Sequence, residues 1–95
     1  MLPGSSPSNV EIILTFDNTH AAILAEQYIL AAGIAVKVMP LPAAIAAGCG
    51  LCLRLDATSL EQGLALLHEH RIKTKAYRRE GDTFQEERPY LDCCD

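Results

Sequence analysis

The chain predicts an α+β domain with the element order β-α-β-β-α-β. Three observations carry that prediction. Four stretches alternate apolar and polar residues at period two, two longer stretches repeat apolar residues at helical spacing, and glycine, proline or capping residues separate them. A length of 95 residues accommodates one such domain.

The first strand runs over residues 10–16 and places Val10, Ile12, Leu14 and Phe16 on one face. Asp17, Asn18 and Thr19 then supply N-cap candidates, and an Ala, Leu and Ile-rich helix follows over residues 20–32. Leu24, Tyr28 and Ala31 form its stripe with Ala21 and Ala25 alongside, and Gly33 suits the left-handed stop beyond it. The second strand, 34–38, carries Ile34, Val36 and Val38 on one side and Lys37 on the other. Pro40 and Pro42 end it, because neither can donate to a ladder. Pro42 fits the first position of a short helix over 43–47 that Gly48 closes.

Leu51, Leu53 and Leu55 define the third strand. Thr58 followed by Glu61 is a capping box, opening a helix with Leu60, Leu64 and Leu67 at helical spacing. Residues 72–79 close the domain as a fourth strand. Two crossovers in this order favour a ferredoxin-like sandwich, a four-stranded sheet with both helices on one face. The boundaries expected are a flexible leader over residues 1–9, the ferredoxin-like domain over 10–79, and an acidic, Cys-containing tail over 80–95.

Charge is divided along the chain. The net charge is −4, yet residues 1–79 carry six acids against seven bases, and residues 80–95 carry six acids against Arg88 alone. Lys37, Arg54, Lys73, Lys75 and Arg79 share the parity opposite the apolar positions, which predicts a basic open sheet face. The acidic tail either lies across that face or stays solvated. Few aromatic residues and an acidic total argue against nucleic-acid binding. No apolar run reaches the roughly 18 residues of a membrane span, and residues 1–9 lack the basic flank and apolar segment of a signal peptide. The expected compartment is the cytoplasm, where thiols stay reduced.

The cysteines are the candidate chemistry. Cys49 stands between Gly48 and Gly50, where small neighbours permit close approach and exposed amides can cradle an anion, so a reachable thiol at a bend is expected there. Its parity with Leu51, Leu53 and Leu55 equally permits a buried core residue. Cys49 and Cys52 spell C-x-x-C, but residues three apart on a strand point to opposite faces with Cα atoms about 10 Å apart, too far for a disulfide. Cys52 is therefore expected on the open face beside Arg54 or in an interface. Cys93 and Cys94 lie in the acidic segment, beside Asp92 and Asp95. A zinc site built from Cys49, Cys52, Cys93 and Cys94 has the right number of ligands, but adjacent ligands are awkward and a second C-x-x-C is missing. His68 and His70 stand about 200° apart on their helix and cannot share a metal, so no metal or other cofactor is expected. No Ser-His-Asp set, catalytic carboxylate pair or phosphate loop is recognisable, and the chain is not expected to be an enzyme.

The stretch through Phe16, Thr19-His20-Ala21, Glu26, Gly33, Met39-Pro40-Leu41-Pro42 and Cys49-Gly50 resembles a family of small bacterial proteins described as selenium/sulfur carrier-like. Its most specific part is M-P-x-P…C-G-x-x-L-R, which ends here in Leu53-Arg54. The resemblance covers about residues 10–79 and implies that Cys49 takes the place of the family's cysteine. Ala43 stands where the pattern has a basic residue, and Ala46-Ala47 where it has two hydroxyls, leaving backbone amides as the local anion donors. On this resemblance the expected function is a carrier that holds sulfur or selenium on Cys49 as a persulfide or selenenylsulfide. Pro40, Pro42, Gly48 and Gly50 would support the loop, and Cys93 or Cys94 would serve as relay. The implied partners are a cysteine desulfurase-like donor and an acceptor enzyme, with the sheet as the surface for a homodimer. The alternatives are a non-covalent interaction module and a soft-metal binding protein.

Overall fold

The computed structural model describes residues 10–81 and 83–87. Within them the chain forms β1 (Val10–Thr15), α1 (Thr19–Ala31), β2 (Lys37–Pro40), β3 (Leu51–Asp56), α2 (Leu60–Glu69), β4 (Lys75–Glu80) and β5 (Thr83–Glu87). The strands make one antiparallel sheet in the order β2-β3-β1-β4-β5.

The sheet has five strands rather than the four expected. The fifth, Thr83–Glu87, falls in the segment whose acidic composition predicts a tail. Gly81, at φ +64°, instead turns the chain back, Thr83 Oγ1 donates to the Glu80 carbonyl (2.9 Å), and Phe84 pairs opposite Arg79. Residues 1–9 and the Cys93-Cys94 pair lie outside the described residues.

Helix boundaries follow from capping. Asn18 accepts from the Ala21 amide (2.8 Å) and starts α1. At its other end Gly33 takes φ +83°, with Gly33 N–H bonded to Leu30 O and Ile34 N–H to Ile29 O, a Schellman closure. The buried stripe of α1 is Ala22, Ala25 and Ile29, offset from the Leu24–Tyr28–Ala31 stripe the spacing suggested, because Ala-rich helices offer no clear apolar face. Thr58 does not cap α2, whose N-cap residue Ser59 makes no side-chain bond; the side-chain cap here is Asp56, at the start of the turn before the helix. Its carboxylate accepts from the Thr58 amide and hydroxyl, and a 3-10 turn over Ala57–Ser59 precedes the helix. Gly63, Leu64 and Leu67 are the buried positions of α2.

The main core lies between sheet and helices and joins Ile12, Leu14, Leu53, Leu55, Ala25, Ile29, Leu64 and Leu67. The opposite face is not simply basic. Ile13, Cys52 and Ile45 form a second buried cluster there, with Met39, Leu41, Tyr77 and Phe84 against it. Ile12-Ile13-Leu14 is buried on both faces because β1 is the middle strand and both sides are covered. Arg54 and Arg79 both pair with Glu11 at 3.3 Å, and Lys73 precedes β4, so the expected row of five cations is broken. No helix among the described residues is long and apolar enough to cross a membrane.

Leu53 is 0% exposed in the main core. Leu53→Ala is expected to lower stability by about 2–5 kcal/mol, read from the urea midpoint, since a cavity adds to the lost transfer energy.

Candidate functional site

The segment from Leu41 to Gly50 connects edge strand β2 to β3 without a helix of its own. Its one local backbone bond is Ile45 N–H to Pro42 O (3.0 Å), so the short helix expected over 43–47 is a single turn. Pro40 ends β2, opposite Leu51, and Pro42 follows half-buried. At the loop's far end Leu41 N–H bonds Gly50 O (2.9 Å), which draws its two ends together.

Two contacts then fix residues 48 and 49 to the junction between β1 and α1. Cys49 N–H donates to Phe16 O (3.2 Å), and Gly48 lies so close to the Asp17 carbonyl that a β-carbon would overlap it. Glycine is required at 48 by this approach. Gly50, by contrast, has open space around its Cα.

The Cys49 side chain is buried, at 2% exposure, and belongs to the main core cluster. The reachable thiol expected at this bend is therefore corrected: the loop folds back on β1 and covers it. Its Sγ lies 3.3 Å from the Leu51 backbone N–H, which donates to it, and 3.5 Å from Thr19 Oγ1. Thr19 is the first residue of α1, whose first turn holds no acidic side chain. The sulfur thus faces the positive end of a helix dipole with two hydrogen-bonding neighbours.

Cys52 occupies the other face, in the second cluster, with Sγ 3.6 Å from Pro40 O. Both cysteines are free, and they divide between opposite faces as strand alternation requires. Burial pushes the Cys52 thiol from 9.0 up to about 11, and the neighbouring Cys49 sulfur adds to the effect. Among the described residues no cluster of His, Cys, Asp and Glu could hold a metal ion. A zinc site using Cys93 and Cys94 falls outside them.

Beside the loop a cleft of about 540 Å³ opens between the C-terminal end of α2, the start of β4 and Gly48. His68, Arg71, Lys73 and Lys75 bring basic groups to it, and Asp17 and Glu86 bring carboxylates. Arg71 sits at φ +60° in the same Schellman closure that Gly33 completes on α1, with Arg71 N–H to His68 O and Ile72 N–H to Leu67 O. A left-handed conformation costs a residue with a β-carbon about 1 kcal/mol. His70 stacks on Tyr28 at 3.7 Å, but His68 lines the cleft. The run His68-Glu-His-Arg-Ile-Lys-Thr-Lys75 was the available signal for this basic rim, hidden because helix end, turn and strand each contribute part of it.

A family model described as "Putative Se/S carrier protein-like" matches residues 11–78, most of the chain. The chain belongs to this family. No curated protein and no solved structure matches it. The match spans β1 through most of β4, so Gly48, Cys49 and Gly50 lie inside the family's region, and Cys93 and Cys94 outside it.

Gly48→Ala is expected to cost about 1–3 kcal/mol by overpacking against Asp17. Gly50→Ala should stay within about 0.5 kcal/mol; paired chemical denaturation curves check both. Because the folded state holds the Cys52 proton more tightly, that stabilisation is complete below pH 9.0 and is lost as the pH climbs through about 11. Stability measured across that window should fall less steeply in Cys52→Ala than in the parent.

Proposed function

We propose that this protein carries sulfur or selenium, holding the cargo as a persulfide or selenenylsulfide on Cys49, on a ferredoxin-like β-α-β-β-α-β frame lengthened by a fifth strand. Membership of the family supports the cargo class. The observation that carries the choice of residue is the setting of Cys49 Sγ, between the Leu51 N–H and Thr19 Oγ1 at the start of α1. A terminal sulfur or selenium anion attached there gains from the same donors and the same helix end.

Loading is an exchange between a donor persulfide and the Cys49 thiol. Cys49 sulfur attacks the donor's outer sulfur, a new S–S bond forms on Cys49, and the donor S–S bond breaks. The donor leaves as a thiolate and takes up the proton Cys49 gave, so no oxidant is consumed. The donor is a cysteine desulfurase-like enzyme and the acceptor a second enzyme, which leaves the carrier with no bond-making machinery beyond its nucleophile. This exchange belongs in a reducing compartment such as the cytoplasm, where the thiol is regenerated. Cys93 or Cys94 receives the cargo onward. Since Cys49 is 2% exposed, loading requires the 46–50 segment to lift from Phe16 and Asp17.

That same burial favours a second reading, in which Cys49 is a packing residue and the protein is a non-covalent interaction module. Intact-mass measurement after incubation with a desulfurase and cysteine separates the two. The carrier gains one sulfur atom, and Cys49→Ser and Cys49→Ala, each confirmed folded by circular dichroism, do not. Absence of any adduct on the parent chain excludes the carrier.

A further inference from the structure

The cleft beside Gly48 carries chemistry that a passive carrier does not need. Its basic groups come from three separate elements: His68 from α2, Arg71 from the turn, and Lys73 and Lys75 from the approach to β4 and its first residue. Among the described residues no ion pair joins Arg71, Lys73 or Lys75 to a carboxylate, whereas Arg54 and Arg79 on the sheet face share Glu11. Among the described residues, three cations outside these ion pairs thus share one cavity, while a fourth, Lys37, lies apart at the β2 edge.

Arg71 adds a second, independent observation. α1 and α2 end in the same hydrogen-bonded closure, and α1 fills its left-handed position with Gly33 while α2 fills it with Arg71. Such a position favours glycine, yet the residue held there on α2 is an arginine that lines the cleft. Asp17 and Glu86 place carboxylates among the same lining residues. A cavity of about 540 Å³ lies in the size range of small-molecule sites. Mixed charge of this kind suits a ligand with carboxylates and an ammonium together, rather than a bare inorganic anion.

We infer that this cleft binds a zwitterionic low-molecular-weight thiol, an amino-acid or short-peptide thiol whose persulfide or selenium adduct delivers cargo to Cys49. The delivery step rests on the carrier reading above, whereas the binding site does not. Arg71, Lys73 and Lys75 take the ligand's carboxylates, and Asp17 and Glu86 take its ammonium. Gly48, the residue preceding Cys49, is part of the wall, so a ligand sulfur against that wall lies one residue from Cys49 along the chain. In the transfer R–S–SH plus Cys49–SH gives R–SH plus Cys49–S–SH. The S–S bond to Cys49 forms as the R–S–S bond breaks, and the departing thiolate takes the proton. Cys49 is not itself a lining residue, so transfer follows the lifting of the 46–50 segment.

Titration of the full chain with reduced glutathione, followed by amide NMR, tests binding without any sulfur transfer. Saturable shifts at Gly48, Arg71 and Thr74 are expected. Arg71→Gly should fold at least as stably as the parent, since glycine suits φ +60°, yet bind about fivefold or more weakly. Arg71→Lys should recover part of that loss. No shift at millimolar glutathione overturns the inference, as does equal binding of inorganic phosphate or undiminished binding by Arg71→Gly. The two claims fail separately. A Cys49 adduct formed from a desulfurase without glutathione binding removes the cleft site and leaves the carrier. Glutathione binding with no adduct on Cys49 from any donor does the reverse.

Discussion

The contact on which the site depends is the backbone of Gly48 pressed against the Asp17 carbonyl, with Cys49 N–H bonded to Phe16 O beside it. Phe16 and Asp17 follow β1, the middle strand paired on both sides, so a loop tied there is tied to the most constrained part of the sheet. From that anchor the remaining geometry follows. Leu51 enters the ladder opposite Pro40, alternation sends Cys52 and Cys49 to opposite faces, and the Cys49 sulfur meets the first residue of α1. The two C-x-x-C thiols are consequently different in kind. Cys52 is sealed and held protonated by burial, whereas Cys49 is covered by a segment with few backbone bonds of its own.

Placement of the cleft against this loop joins two features that the chain order separates. The turn after α2 and the start of β4 bring cations to the end of β1, where the 46–48 residues also arrive. β4 pairs directly with β1, and Thr74 Oγ1 donates to Thr15 O (2.9 Å) while Thr15 Oγ1 donates to Lys75 O (3.4 Å), so this corner is cross-braced by side chains. A rigid floor beneath a loosely bonded loop is an arrangement that lets one side of a site open while the other keeps its shape.

Much of the frame was legible in the sequence because period-two and helical spacing are strong where long aliphatic residues set them. Ile12, Leu14, Leu53, Leu55, Leu64 and Leu67 all entered the main core from such patterns. Alternation likewise placed Cys49 and Cys52 on opposite faces. Where small residues carried the pattern it misled, and the Ala-rich α1 buried Ala22, Ala25 and Ile29 rather than the Leu24 stripe. The fifth strand was missed because the acids around Phe84 suggested solvent, although an edge strand can expose one side of nearly every residue. The site was half legible. Gly-Cys-Gly marked the loop, but the burial of Cys49 depends on long-range contacts with Phe16, Asp17 and Thr19, which no local window contains. The basic cleft likewise arises from tertiary placement of His68, Arg71, Lys73 and Lys75.

The central claim is that a covered Cys49 is uncovered by local opening of its loop rather than by unfolding of the domain. Site-resolved alkylation of the native protein in a series of low urea concentrations tests it most directly, with peptide mapping to separate the cysteines. The account predicts that Cys49 reacts faster than Cys52 with a rate nearly independent of urea, while Cys52 follows global unfolding. Equal rates at the two cysteines with the same urea dependence would contradict it.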